Sequence, residues 1–464
     1  MGIGNAFTTA LSGLNAFSQQ IGYISDDLAN TSTIGYKGVN ADFQSYVTAS
    51  NANFLSPGGV SVTPSYTNTL AGQVSSSNVT TNFAISGGNG FAPVMTASST
   101  TGGTATFSGS PQLYSRECDF SVDSNGYLVN GAGQYLMGLK ETTAFSTPPG
   151  STIPTTPSLG NLVGVRVDPA TYKSMPGAAS TVIDYNGNFP ATLTADAAVP
   201  DTASQVTSQV QFYDSLGAVQ TLQVVYQKTA AGAWNVVNAS IPSDAAASVT
   251  LNGVTYTNGA ADADSGAQVL FDTNGALAGT ANGSAVVAPP DLGLDFTVSG
   301  LSDGSAGATA QTVSLDYGST TTGTTQYSGS SLEVRSTSDT TGHGPGEFQS
   351  ASVDKDGYVV FSYSNGLQAK PYRIPLVTFN NANELDRITG STFAGNDTLA
   401  GAPIARWAGE GDAGTITPSS TEASNVDIAD ELTAMIVAQR AYSANGKVIT
   451  TTDQMMQETL SLKT

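Results

Sequence analysis

The sequence predicts a mainly β protein with α-helical ends, in which the N- and C-terminal helices form a coiled coil. Two or more β-rich domains are nested between them in the middle of the chain. Three observations predict this fold class. Apolar residues recur at helical spacing at both ends of the chain, short alternating segments typical of strands fill the interior, and one hairpin phrase occurs twice.

The first helix is predicted from an unbroken heptad pattern at the N-terminus. Its apolar positions alternate at gaps of four and three, the period of a helix that packs along another helix. They are Ile3, Phe7, Ala10, Leu14, Phe17, Ile21, Ile24 and Leu28. A helix packed on its own domain core shows a similar stripe, but chain ends usually fray. A partner helix is therefore the better explanation, in the same molecule or in another.

The second long helical pattern runs from about Ser424 to Leu462, and Ser424 and Asp427 fit a capping box at its start. Gly446 interrupts this helix at a cost of about 1 kcal/mol relative to alanine. We expect the apolar positions of both helices to form an assembly interface. From this second helix the expected interface residues are Leu432, Met435, Ile436, Tyr442, Ile449, Met456 and Leu460.

Three short motifs lie at these two ends of the chain. Their residues are Ala29, Asn30, Thr31, Gly35, Tyr36 and Lys37 after the first helix, Ser424, Asn425, Val426 and Asp427 at the start of the last, and Gln439, Arg440, Ala441, Tyr442 and Asn445 inside it. In this order they closely resemble the terminal signatures of the bacterial flagellar rod and hook family. The resemblance implies a structural subunit of the hook, a curved hollow tube that acts as a universal joint between rod and filament and as an export channel.

The same resemblance implies the partners and the location of the protein. The partners are other copies of the chain in a helical homopolymer, the rod and hook–filament junction proteins at its ends, and the hook cap and the flagellar export apparatus during assembly. The location is the extracellular hook, reached without a cleaved signal peptide. A signal peptide starts with a positively charged segment, but no basic residue precedes Lys37. No apolar run reaches transmembrane length.

Between the helices the sequence predicts nested domains. A terminal helical domain comprises 1–30 and 424–464, and an extended connector comprises 31–78 and 401–423. An inner β-domain is built from 79–165 and 345–400, because the hairpin phrase of 121–129 returns at 352–360. An inserted outer β-domain, 166–344, is acidic and contains short strand patterns near 206–212, 221–227, 234–237, 249–256 and 296–301.

Composition argues against several functions. With a net charge of −21 and only 15 Lys plus Arg in 464 residues, the chain lacks the clustered cations that bind nucleic acid or an anionic membrane surface. Its single cysteine, Cys118, cannot form a disulfide within the chain and is expected to be a packed small side chain.

No catalytic, cofactor or metal site is predicted, so we expect no enzyme activity. The single histidine, His343, lies in a loop without a nucleophile motif. Acidic segments that begin at Asp123, Asp262, Asp272 and Asp354 hint at calcium, but none has the acidic residue that closes an EF-hand loop twelve positions along.

Two alternatives to the hook subunit stay open. A distal rod protein would share the terminal motifs, but the resemblance implies a much shorter chain without a large insert. A secreted β-rich adhesin would normally carry a signal peptide or an anchor, and it would not explain why the most strongly patterned helices lie at the two termini.

Overall fold

The computed structural model describes residues 3–51, 54–107, 113–145, 149–167, 170–198, 201–282, 285–287, 293–301, 310–319, 323–329, 331–339 and 341–461. The chain is mostly β-strand, with a long α-helix near each end. It divides into two compact units. Unit 1 comprises Met1–Lys173, Gln349–Ser362 and Gln368–Thr464, and unit 2 comprises Ser174–Phe348 and Tyr363–Leu367.

Helix α1 spans Ile3–Ala29 and helix α2 spans Ile428–Ser461. Short 3₁₀ turns lie at Leu159–Asn161, Thr202–Ser204 and Ala382–Glu384. Before unit 2 the strands are β1 Val39–Asn51, β2 Phe54–Tyr66, β3 Val74–Ser76, β4 Phe83–Ser86, β5 Ala92–Met95, β6 Ser99–Thr101, β7 Thr104–Thr106, β8 Leu113–Ser115, β9 Ser121–Val122, β10 Leu128–Val129, β11 Tyr135–Lys140 and β12 Leu162–Gly164.

The remaining strands follow in chain order. They are β13 Ser174–Met175, β14 Val182–Pro190, β15 Gln205–Tyr213, β16 Val219–Ala230, β17 Ala233–Ser240, β18 Ser248–Leu251, β19 Val254–Thr257, β20 Ala267–Phe271, β21 Leu277–Asn282, β22 Ala285–Val287, β23 Gly293–Ser299, β24 Gln311–Asp316, β25 Thr325–Tyr327, β26 Glu333–Asp339, β27 Gly346–Val353, β28 Tyr358–Tyr363, β29 Gln368–Arg373, β30 Leu376–Thr378, β31 Asp386–Arg387, β32 Thr392–Ala394, β33 Ile404–Arg406, β34 Thr415–Pro418 and β35 Ser420–Glu422.

The stretch 31–78, expected as an extended connector, instead contains a long antiparallel hairpin of β1 and β2. The hairpin packs along α1, where the Phe17 and Phe43 rings are 5.3 Å apart and the Val60 amide donates to Ser12 Oγ at 3.2 Å. An apolar residue of the hairpin, Phe43, thus packs against α1. The return segment 401–423 is not a bare connector either, since β34 pairs with β4 and β35 with β3.

The central sheet of unit 1 contains β28, β29, β11, β5, β8, β32 and β31 in that spatial order. Its strands come from two distant parts of the sequence, before and after unit 2. Edge-to-face aromatic contacts fill the core beside it, with the rings of Phe91 and Phe393 5.5 Å apart and those of Tyr114 and Phe379 4.9 Å apart.

Unit 2 contains two sheets that share one apolar core. One sheet has the order β19, β18, β23, β24, β14, β25, with β26 also on β14, and the other runs from β15 through β16, β17, β20 and β21 to β22. Trp234, Phe189 and Tyr226 are fully buried in this core. The Tyr226 and Tyr317 hydroxyls are hydrogen-bonded at 2.7 Å, which satisfies both polar groups in the apolar interior.

Candidate assembly interface

The two terminal helices contact each other through small and polar side chains. Ala16 of α1 is buried, as are Ala438 and Thr452 of α2. A Cβ atom placed on Gly13 would lie 3.1 Å from Asn445 Nδ2, so the backbone of α1 closely approaches the side chains of α2 at this point. Small residues permit such an approach, since a larger side chain would push the helices apart.

The apolar heptad positions of α1 face inward to different degrees. Ala10 and Ile24 are buried. The other described members are half-buried, namely Phe7, Leu14, Phe17, Ile21 and Leu28. The side chain of Ile3 lies outside the described residues. The seam predicted for this helix therefore coincides with the side that packs inside the chain.

The predicted positions of α2 mostly face away from α1. Leu432, Ile436, Tyr442 and Met456 are exposed, whereas Met435 and Ile449 are half-buried. The side chain of Leu460 is outside the described part of the helix. The face toward α1 includes small or polar residues: Ala434, Ala438, Ala441, Asn445 and Thr452. Sequence reasoning named Ala441 and Asn445 only as motif residues and missed Ala434, Ala438 and Thr452, although their helical spacing was an available signal.

Helix α2 begins at Ile428, four residues after the predicted start. Asp427 is its N-cap, because Asp427 Oδ1 accepts from the Ala429 amide at 2.7 Å and the Asp430 amide at 3.3 Å. The predicted capping box, with Ser424 as the N-cap, is therefore wrong. Ser424 Oγ accepts from the amide of Val426, two residues later in the preceding turn.

The motif residues around Asn425 join the two ends of the chain. Asn425 Oδ1 accepts from the Gly38 amide at 2.8 Å, and its Nδ2 donates to the carbonyls of Thr67 and Leu70. Gly35 has φ +68, and a Cβ there would lie 2.5 Å from the Arg116 backbone, so glycine is required both for conformation and for space.

A carboxylate–tyrosine contact fixes the exit from α1. The Tyr36 hydroxyl donates to Asp27 Oδ1 at 2.8 Å, and the Val39 amide donates to both oxygens of Asp27 at 3.1 and 3.0 Å. Burial raises the pKa of Asp27 despite these donors. Burial and the neighbouring Asp27 also raise the pKa of Glu431, at the start of α2.

The other motif residues have simpler positions. Asn30 Nδ2 donates to the Asp26 carbonyl and Thr31 Oγ1 to the Leu28 carbonyl, which satisfies free acceptors at the C-terminal end of α1. Among the remaining motif residues, Ala29, Gln439 and Arg440 are exposed, while Val426, Ala441 and Asn445 are half-buried.

A buried ion cluster adjoins the motif residues. Lys37 Nζ lies 2.5 Å from Glu422 Oε1, and Arg116 Nη1 lies 3.2 Å from Glu422 Oε2. Burial lowers the pKa of Lys37 in spite of the opposing effect of Glu422. Sequence reasoning named Lys37 but neither Arg116 nor Glu422, because no local pattern joins residues so far apart.

The histidine and the aspartates considered above as catalytic or calcium-binding residues form hydrogen bonds within the fold. His343 Nδ1 donates to the Gly344 carbonyl at 3.1 Å. The Oδ1 atoms of Asp123, Asp272 and Asp354 each accept the amides two and four residues later, as expected of turn residues. Asp262 accepts from the side chains of Asn238 and Gln205. Within the described ranges, no three His, Cys, Asp or Glu side chains form a group that could hold a metal ion.

Cys118 is buried, and burial raises the pKa of its thiol well above the usual value. A thiol in this position is largely protonated at neutral pH and therefore a poor nucleophile. Neither described helix is both long and apolar enough to cross a membrane.

Known protein families match two parts of the chain. Residues 182–358 match the family described as "Flagellar basal body protein FlaE D2 domain", and residues 418–462 match "Flagellar basal body rod FlgEFG protein C-terminal". The second match covers α2 and its N-terminal motif.

Curated relatives match nearly the whole chain. The flagellar hook protein FlgE of Brucella suis is 30% identical over 457 residues, covering 98% of each chain. FlgE of Rhizobium meliloti is 29% identical over 465 residues and covers 100% of both chains, and FlgE of Salmonella typhimurium is 28% identical with 99% of this chain covered. The crystal structure of Helicobacter pylori hook protein FlgE2 is a more distant likeness, with TM-score 0.46 and 14% identity over 75% of this chain and 99% of that one.

These matches favour neither a rod protein nor an adhesin, because the full-length relatives are hook proteins that share both the termini and the large interior of this chain. The family is a structural one. The chain belongs to the flagellar hook protein family and is a structural subunit of the bacterial flagellar hook.

Proposed function

We propose that the chain polymerises through its terminal helices into the curved hollow tube that joins rod to filament and conducts exported protein. The observation that carries this proposal is the outward face of α2. Five of its large apolar side chains are between 39% and 61% exposed: Ile436, Val437, Tyr442, Val448 and Met456. Several large, exposed apolar side chains on one helix are typical of a surface that another protein covers.

The occupant of this surface is a second copy of the chain, because the hook family forms a homopolymer. The heptad residues of α1 and the exposed residues of α2 then have different roles. The first pack inside the subunit, and the second contact neighbouring subunits. Helix α1 carries charge only at Asp26 and Asp27, so a passing unfolded chain would meet few groups on this helix that could hold it electrostatically.

The domain organisation follows the same proposal. The terminal helices line the tube, residues 79–165 and 345–400 form an inner β-domain, and residues 166–344 form an outer one that adjusts curvature. Deleting 166–344 should leave subunits that still polymerise into straight or abnormally curved tubes, as seen by electron microscopy. Complete loss of assembly while the remaining β-domain stays folded would contradict this assignment.

The finer points on partners and location rest on family membership. We infer contacts with the rod and the hook–filament junction proteins at the two ends of the tube, and with the cap and export apparatus during growth. Export through the flagellar channel would place the assembled protein outside the cell. We also infer that the subunit acts mechanically and has no catalytic activity.

The test compares two substitutions of equal chemistry and exposure. Ile436 on α2 is 52% exposed, and Leu216 in unit 2 is 53% exposed. Ile436→Asp should abolish polymerisation, because a charge on the covered surface is left without a partner in every subunit contact, which costs several kcal/mol. Leu216→Asp should polymerise.

The measurement is the critical concentration for polymerisation of purified subunits, together with motility of a hook-deficient strain that carries each variant. Circular dichroism checks that both variants are folded. Normal tubes from Ile436→Asp subunits would exclude the exposed α2 face as the assembly surface.

A further inference from the structure

The Lys37–Glu422–Arg116 ion cluster is almost completely shielded from water. The side chain of Lys37 is 0% exposed, and those of Arg116 and Glu422 are each 1% exposed. The Glu422 carboxylate also accepts from the Gly72 amide at 2.8 Å. One carboxylate therefore binds a lysine, an arginine and a backbone amide.

These partners come from every segment that leads to the terminal helices. Lys37 follows α1, and Gly72 lies two residues before β3. Glu422 ends β35, the last strand before α2. Arg116 follows β8 of the unit 1 sheet, so it belongs to the folded body that carries the two ends. Strands β3 and β35 pair directly, with Val74 opposite Glu422.

The charges in the cluster do not cancel, since two cations surround one carboxylate. Carbonyl oxygens partly compensate the excess positive charge. Lys37 Nζ donates to the Leu70 carbonyl at 2.7 Å, and Arg116 Nη2 donates to the Gly88 carbonyl at 2.8 Å. The Arg116 guanidinium also lies 5.0 Å from the centre of the Phe91 ring. Without the charge of Glu422, two buried cations would repel each other with only dipoles to stabilise them.

We propose that this cluster is an electrostatic latch that holds the roots of both terminal helices, residues 35–38 and 420–427, on the sheet of unit 1. Neutralising Glu422 releases both roots together, while the sheets remain folded. The latch acts within a single chain and does not depend on polymerisation. It would make the helices and the β-structure of unit 1 move as one mechanical body.

The chain contains its own reporter of this opening. Cys118 is its single cysteine, two residues from Arg116, and it is only 2% exposed. Glu422 and Arg116 are among the charges that act on its thiol. The rate at which Ellman's reagent modifies Cys118 in the full-length subunit therefore measures how often this region opens.

The experiment compares Glu422→Gln with Lys370→Met, which removes an ion pair that is about one-quarter exposed, at 3.0 Å from Asp354. Glu422→Gln should increase the modification rate at least tenfold, and Lys370→Met should change it less than twofold. The double variant Lys37→Met/Glu422→Gln should react more slowly than Glu422→Gln, because one of the two repelling cations is gone. A contact that acted only by packing would not show this rescue.

Urea dependence separates local from global opening. In Glu422→Gln the modification rate should depend only weakly on urea below 1 M, since a local opening exposes little surface. A wild-type rate in Glu422→Gln, or a urea dependence as steep as that of global unfolding, would overturn the proposal. If Glu422→Gln does not fold, Lys37→Met serves as the second variant. Lys37→Met should give a smaller increase in the modification rate of Cys118, and an unchanged rate would also overturn the proposal.

Discussion

Replacing Ala438 by leucine tests whether close packing of small side chains holds α1 and α2 together. Ala438 is 0% exposed in the middle of α2, on the face toward α1. Two turns further along the pair, a Cβ on Gly13 would lie 3.1 Å from Asn445 Nδ2, so the helices approach closely there. Leucine would have to displace α1 or adopt a strained rotamer.

The expected cost follows from overpacking. Added methylene groups in a well-packed site cost about 1–3 kcal/mol. Since 1.4 kcal/mol is a factor of ten in an equilibrium constant, this cost corresponds to a loss of hydrogen-exchange protection of roughly fivefold to 150-fold, limited in the free subunit by the protection that the marginal α2 amides start with. The matched control is Ala444→Leu on the exposed side of the same helix. Alanine and leucine have similar helix propensities, so this control should change protection very little.

Hydrogen exchange with mass spectrometry on the full-length subunit measures both variants, and far-UV circular dichroism checks their helix content. The two substitutions add the same atoms to the same helix, so only their surroundings differ. Equal protection in Ala438→Leu and Ala444→Leu would refute the small-residue seam. Loss of protection in the control alone would mean that α2 packs through its opposite face.

Three further results are expected of the free subunit. Protease should trim residues near 1–30 and 430–464 and leave the β-units whole, because isolated helices of this kind are marginal; fully protected ends in a proven monomer would contradict this. Gly446→Ala should stabilise α2 by about 1 kcal/mol in thermal circular dichroism, since no atom lies within 4 Å of the added Cβ. Burial raises the carboxyl pKa values of Asp27 and Glu431 above 3.8 and 4.5, so the folded ends bind protons more tightly than the unfolded ends. Helix pairing should therefore weaken as pH rises from about 4 through the raised values, and Asp27→Asn should flatten this pH profile.

Sequence periodicity predicted the positions of the two helices along the chain. It was less informative about which face of each helix packs inside the chain. The heptad of α1 identified its inward side, because large apolar residues there pack within the chain. In α2 the large apolar residues, such as Ile436, face outward, and Ala438 faces α1. A period of 3.5 identifies an apolar stripe but does not tell whether the stripe meets its own chain or another, so the assignment of the α2 stripe to an assembly interface stays a prediction.

The β1–β2 hairpin and the Lys37–Glu422–Arg116 ion cluster could not be predicted from local sequence patterns, because both depend on contacts between separate segments of the chain. Strands β1 and β2 contact α1 through Ser12 and Phe17, and a pattern confined to residues 39–66 does not show these contacts. Glu422 and Lys37 are 385 residues apart. The terminal motifs were recognisable by resemblance, yet the side chains that bind them belong to parts of the chain with no motif of their own.

The division of α2 into a small face and a large apolar face has an energetic consequence. The seam between α1 and α2 is built largely from alanine, glycine and polar side chains, so it buries little apolar surface and contributes little to stability. Fully burying a large apolar side chain is worth about 1.5–3 kcal/mol. Ile436, Val437, Tyr442, Val448 and Met456 are each roughly half-exposed, so about 1 kcal/mol each, or about 5 kcal/mol from these five residues, is still available on assembly. That amount is comparable to the stability of a small domain. Helices that are marginal in a free subunit would therefore become firmly ordered only where neighbouring subunits cover this face, which links folding of the chain ends to growth of the tube.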